Sequence, residues 1–206
     1  MTTLHRLLAA LGALALLMLN PATAQAATIV GIEHDAAGTS HIGRPNADVR
    51  LGPTTLHTDL DIETGDFTAT LPLPGTDTRF ALAGFVPVTA RVDFLPVGRI
   101  SGRLDVDASS NLVVSGTARY YVRLSNIRIA GFPTFTGANC RTVSPVTIPV
   151  GTPAGESFDL LAGGRLTGSY SIGQFQNCGL NTWLINSVVP GSNNTIDLRV
   201  TNGRYV

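Results

Sequence analysis

Hydrophobic positions recur with a period of two over most of this chain, interrupted by glycine and proline. Between Phe85 and Phe94, Val86, Val88, Ala90, Val92 and Phe94 alternate with Pro87, Thr89, Arg91 and Asp93. Ile100, Gly102, Leu104 and Val106 continue the alternation, and Leu112, Val114, Ala118, Tyr120, Val122 and Leu124 take it up again. Successive side chains of an extended strand point to opposite faces, so the pattern predicts strands with one buried and one wet face. With turns at Leu95–Arg99 and Asp107–Asn111, residues 85–129 read as a three-stranded antiparallel meander.

The flanking segments follow the same rule. Leu56, Leu60 and Ile62 share one side of a strand, and Phe67, Ala69 and Leu71 return across a Thr64-Gly65-Asp66 hairpin. Val143, Val146, Ile148 and Val150 predict a strand carrying Pro145 and Pro149, hence an edge strand. Leu166, Gly168, Tyr170 and Ile172 face inward on the next, and Ile196, Leu198 and Val200 form the last. Leu180, Leu184 and Val188 alone show helical spacing, ended by Pro190-Gly191, with Trp183 beside them as a core plug. Residues 27–53 are the least regular part. The expected fold is all-β: an antiparallel β-sandwich of about eight strands, immunoglobulin-like or jelly-roll-like, with one short helix near the C-terminus.

The first 26 residues stand apart. Met1–Arg6 is a short basic start, Leu7–Leu19 an apolar core, and Ala24-Gln25-Ala26 a small-x-small cleavage site. The apolar core is well short of the roughly 20 residues needed to span hydrocarbon. Residues 1–26 therefore read as a signal peptide and 27–206 as a single secreted domain with no later transmembrane anchor. Export changes the reading of the two cysteines. Cys140 and Cys178 are expected to form a disulfide, since their spacing fits neither a redox nor a zinc motif. Closing that loop of 38 residues is worth roughly 3.9 kcal/mol of unfolded-state entropy in the ideal-chain picture.

Charge excludes more than it suggests. The chain carries 14 basic residues, all arginine, against 14 acids. Near-neutrality without a basic cluster argues against nucleic acid as a partner. His34, Asp35 and His41 do not have the spacing of a metal site, and no metal or cofactor is expected. Asp59, Asp61, Glu63 and Asp66 invite comparison with a calcium site or a glycosidase carboxylate pair. Acids at alternate positions on a wet strand face account for them equally, and the calcium-hand loop pattern is absent. No hydrolase signature accompanies His34, His41 and His57. One set of residues resembles a recognition surface: Arg119, Tyr121 and Arg123 share a face by parity and form a candidate binding strip.

The blocks LGPTTLHTDLDIETGDFTATLPLP, GFVPVTARVDFLPVG, NCRTVSPVTIPV and LAGGRLTGSYSIGQFQNCGLN, in that order, resemble a group of secreted β-rich proteins of actinobacteria. The resemblance runs from about Asn46 to the C-terminus and is carried by the Gly/Pro punctuation, Cys140, Cys178 and the Gln174–Gly179 segment. It implies export and a role outside the membrane, and it carries over no catalytic residue. The expectation is a secreted or cell-envelope-associated protein, a non-enzymatic binding or structural one. Its partner would be an anionic cell-wall polymer or another envelope protein. An exported hydrolase, and a lipid-binding or pore-forming barrel, are the alternatives.

Overall fold

Two long strands open the structure where little regularity was expected. β1 (Ile29–Ile42) and β2 (Ala47–Asp61) pair antiparallel along nearly their whole length. The computed structural model describes residues 27–82 and 84–206; the expected signal peptide lies outside the described residues. Residues 27–53 looked irregular because the inward positions of β1 are Ile32, His34, Ala36, Ser40 and Ile42, a small and partly polar set. Opposite Ala36–Gly38 a bulge puts an extra residue into β2 between Leu51 and Thr54, so its buried positions pass from the odd-numbered Ala47, Val49 and Leu51 to the even-numbered Leu60. Small side chains are needed there: a Cβ on Gly38 would lie inside the backbone of Asp197 and Leu198.

The chain continues through β3 (Asp66–Thr70), β4 (Thr76–Leu82), β5 (Val86–Pro96), β6 (Ile100–Val106) and β7 (Leu112–Ile129). The predicted meander is replaced by one very long hairpin. Residues 97–99 do not reverse the chain, and β5 and β6 lie end to end along the same edge of β7. The reversal comes only at 107–111, where Asp107 accepts backbone N–H bonds from Ser109 and Asn111. A local irregularity resembled a turn in sequence because proline and glycine mark both.

β8 (Phe132–Pro133) and β9 (Arg141–Thr142) are short additions beside the far end of β7. β10 (Val146–Gly151), β11 (Gly164–Ile172), β12 (Phe175–Gln176) and β13 (Gly191–Tyr205) complete the sheet. The order is β10-β11-β13-β1-β2-β3-β6-β7, and β10 pairs back onto β7 along Ser115–Tyr120. The path closes on itself, so eight antiparallel strands form a barrel where two stacked sheets were expected. β10 is accordingly no edge strand: it is the seam, laddered fully to β7 and to β11 only at Gly151–Thr167. β4 and β5 extend the sheet from the far half of β7, and the Thr78 hydroxyl fastens β4 to the Asp48 carbonyl of β2.

Alternation around the ring sends apolar side chains into the lumen and ion pairs outward. Arg165–Asp197, Arg204–Glu33, Arg103–Asp66 and Arg99–Asp59 all lie outside. That is the reverse of a membrane-spanning barrel, which turns apolar residues to lipid and polar ones to its lumen. No helix of the described residues is long and apolar enough to cross a membrane.

After β12, a 3-10 turn at Gly179–Asn181 leads into α1 (Thr182–Val188), which lies over one end of the barrel. Ile185 is its buried residue, whereas Leu180 and Trp183 are 84% and 72% exposed. Trp183 is therefore not a core plug. The Cys140–Cys178 disulfide is present, fully buried, and ties the loop before β9 to the turn before α1. Replacing both cysteines by alanine is expected to lower stability by about 2–4 kcal/mol. Chemical denaturation of wild type and double variant checks this; equal midpoints would show that the bridge constrains nothing.

Candidate functional site

An eight-stranded barrel has an interior that side chains either fill or leave open for one small ligand. Here filling is incomplete. Two cavities stack along the axis, about 90 Å³ near α1 and about 100 Å³ in the other half. Ser40, Phe94 and Tyr170 border both and form the layer between them. Phe94 meets Tyr120 edge to face with ring centres 6.3 Å apart. The Tyr170 and Ser40 hydroxyls hydrogen bond at 2.7 Å, and Ser40 also donates to the Thr195 carbonyl.

The cavity near α1 is lined by Val49, Phe80, Val92, Ile127 and Phe175, and α1 roofs it with Leu184, Ile185 and Val188. Asn186 fastens that roof by hydrogen bonding both the N–H and the C=O of Phe175. Leu51, Phe67, Ala69, Leu104, Val114 and Ala118 line the lower cavity. Its floor is the β10–β11 loop: Phe158 is buried, its N–H donates to Leu112, and Leu160 reaches the cavity wall.

Polar groups inside are few, and all but one are satisfied. Tyr120 donates to the Leu71 carbonyl at 2.7 Å, and burial pushes its hydroxyl pKa up to about 12, so it stays a donor. Tyr170 is likewise raised by burial, opposed by its bond to Ser40. His34 is the exception. It points inward from β1, is 3% exposed, and lies edge-on to Phe158. Nε2 is 2.9 Å from the Leu160 carbonyl, which can only accept, so the Nε2 proton is donated there. That leaves Nδ1 a bare acceptor, and it is the one buried side-chain nitrogen or oxygen without a hydrogen-bond partner among the described residues. Burial lowers the His34 pKa, helped by nearby Arg204 and opposed by the Leu160 bond and Asp35.

The sequence candidates fall outside this lumen, His34 excepted. Asp35 faces outward to Arg204 and Asn202, and His41 to Asp48, so His34, Asp35 and His41 do not converge. Asp59 pairs with Arg99 and Asp66 with Arg103. Asp61 caps the Glu63 and Thr64 N–H groups, and Glu63 accepts from Thr28. No three His, Cys, Asp or Glu side chains among the described residues are placed to hold a metal ion. His57 does have a carboxylate, Glu33, at 2.9 Å, but on the open outer face, where Glu33 also binds Arg204. Arg119, Tyr121 and Arg123 share the outer face of β7. Arg123 pairs with Asp93 at 3.1 Å, and the Arg141 guanidinium sits 4.5 Å above the Tyr121 ring.

Compared with protein families, curated proteins and solved structures, the chain matches none.

A histidine whose pKa is lower folded than unfolded takes up its proton more readily in the unfolded chain. Its contribution to stability is complete above the unfolded value near 6.5 and is lost as pH falls from there towards the folded value. The His34→Leu variant should lack this component, so as pH falls across that window wild type loses stability relative to the variant by up to about 1.4 kcal/mol per pH unit. Urea denaturation at pH 8, 6 and 5 measures it; parallel profiles would mean that His34 titrates normally.

Proposed function

We propose that this protein is a non-enzymatic binding protein whose barrel lumen takes up a small apolar molecule bearing one hydroxyl or protonated carboxyl group. The observation that carries this reading is a largely apolar cavity with His34 in its wall, a histidine whose Nδ1 is buried without a hydrogen-bond donor. An unsatisfied buried polar atom costs about 1–3 kcal/mol. An empty space of about 100 Å³ adds roughly 2 kcal/mol at the cost found for cavities in protein cores. An apolar ligand with one O–H recovers both. Each compartment is about two thirds the size of a 150 Å³ core cavity that holds benzene, so it has room for roughly four or five non-hydrogen atoms, which suits a short alkyl chain.

Three arrangements support binding without turnover. The two histidine–carboxylate pairs of the described residues sit on the open surface, no serine hydroxyl among those residues bonds to a histidine, and His34 is braced by a carbonyl. Such a site lacks the activated nucleophile that hydrolysis requires. The signal-peptide reading of residues 1–26 would put the protein outside the cytoplasmic membrane, among the amphiphiles of the envelope. An anionic polymer or envelope protein on Arg119, Tyr121 and Arg123 remains a separate outer-face reading, weakened because Arg123 and Tyr121 already have partners within the chain.

Titration calorimetry with propan-1-ol and its methyl ether, which match the compartment in size, tests the assignment. The alcohol is expected to bind, and His34→Leu to weaken it about 2- to 10-fold, the worth of one hydrogen bond. The ether, which has no donor, should bind wild type and variant alike. Val114→Phe, which fills the lumen, should abolish both. Alcohol binding that survives Val114→Phe would place the ligand elsewhere and end the proposal.

A further inference from the structure

The two ends of the barrel differ in kind. One end is built from the 62–65, 107–111 and 152–163 connections and the chain's C-terminus, as the strand directions dictate. Segments 61–66, 105–111 and 152–163 contain Asp61, Glu63, Asp66, Asp105, Asp107, Glu156 and Asp159, and no arginine. The other end is built from the 43–46 turn, the tip between β4 and β5, the 130–140 loop and the α1 region. Segments 43–46, 79–90, 126–142 and 171–194 contain Arg44, Arg79, Arg128 and Arg141, and no acid. Arg103 and Arg165 in the adjoining strands pair with Asp66, Asp105 and Glu156, which leaves Asp61, Glu63, Asp107 and Asp159 as the acids of that end outside any ion pair among the described residues.

The arginine end also carries the protruding phenylalanine and tryptophan rings, whereas the exposed apolar residues of the acidic end, Ile29, Ile62, Val106, Leu161, Tyr205 and Val206, are aliphatic but for one tyrosine. Phe85, Phe132, Phe135, Leu180 and Trp183 are each between 72% and 88% exposed. They come from separate turns that the fold brings side by side. The Ala130 N–H bonds the Pro87 carbonyl, setting the Phe85 tip beside the Phe132 tip. Asn181 Nδ2 donates to the Phe135 carbonyl, and the disulfide anchors both of those loops, which joins Phe135 to Leu180 and Trp183. α1 itself has no charged residue; one face roofs the upper cavity and the other shows Trp183 to solvent. Arg44, Arg79 and Arg128 are exposed and take part in no ion pair among the described residues.

We propose that this end docks the protein on an anionic lipid surface, with Phe85, Phe132, Phe135, Leu180 and Trp183 entering the interface and Arg44, Arg79 and Arg128 meeting the headgroups. Aromatic side chains on projecting turns favour the water–hydrocarbon boundary, where an amphipathic ring is accommodated at headgroup depth. Arginines just behind them add attraction to acidic lipids. The unpaired acids of the opposite end are repelled, so charge reinforces the orientation that the aromatic tips set. The surface stands on its own residues and does not depend on the lumen holding a ligand.

Trp183 is the sole tryptophan and reports directly. Vesicles of equal parts phosphatidylglycerol and phosphatidylcholine should shift its emission to the blue and carry the protein upward in flotation. Vesicles of phosphatidylcholine alone, or added salt, should weaken both effects. Arg79→Gln with Arg128→Gln should cost about fivefold in affinity per charge. Phe132→Ser with Phe135→Ser should abolish flotation while leaving propan-1-ol binding intact. The control pair Ile62→Ser and Val106→Ser, at the opposite end, should change nothing; a melting curve for each variant confirms folding. An unshifted emission with no flotation on the anionic vesicles overturns the proposal. So does equal loss in the control pair, or self-association that the Phe132/Phe135 variant removes while vesicles fail to bind.

Discussion

Closure of the ring is the constraint from which the rest follows. A sheet that stays open leaves two edges of unpaired N–H and C=O groups and cannot enclose a lumen. β10 resolves this by lying along Ser115–Tyr120 of β7, on the edge opposite β6 and β5, in the first half of a strand whose second half carries β5. β7 therefore works in two structures at once, a barrel wall below and a flange above. The partition layer of Tyr120, Phe94, Tyr170 and Ser40 sits where one gives way to the other. It divides the lumen into two spaces because the strands change partners at that height.

Parity was legible wherever inward residues are large. Val88 to Val92, Ala118 to Leu124 and Ile196 to Val200 are buried as their alternation indicates. Legibility failed where the core wants small groups, as along β1, and where a bulge such as the positive-φ Asn126 carries Ile127 and Ile129 onto the inner face. Architecture was less accessible than strand content. Both a sandwich and a barrel need one apolar face per strand, and only the long-range pairing of β10 with β7 separates them. The same distance hid the site. Tyr120 and Tyr170 were readable as inward side chains, but nothing in the local pattern around His34 announces that Leu160 will take one of its nitrogens and leave the other bare.

The outer surface explains why the acidic and histidine clusters looked more chemical than they are. Along β1, β3, β6, β11 and β13, opposite charges face each other across neighbouring strands, as with Glu33–Arg204 and Asp66–Arg103. Pairs this exposed contribute little to stability, because water screens them. Their effect is to keep the wall wet and single in register, since a one-residue slip would drive charge into the lumen. Chemistry is thereby concentrated at the few places that break the pattern: an unmet nitrogen inside and uncompensated arginines among aromatic tips at one end.

β1 lies between β2 and β13, so the first strand of the barrel has as its neighbour the last one made. During synthesis only the β1–β2 side can pair; the other edge waits until nearly the whole chain has emerged. Pairings of such long sequence separation form late and slowly. The chain thus spends its early life as a loose thread with local hairpins, the form in which a polypeptide passes through a narrow channel. It acquires an inside only when its tail arrives.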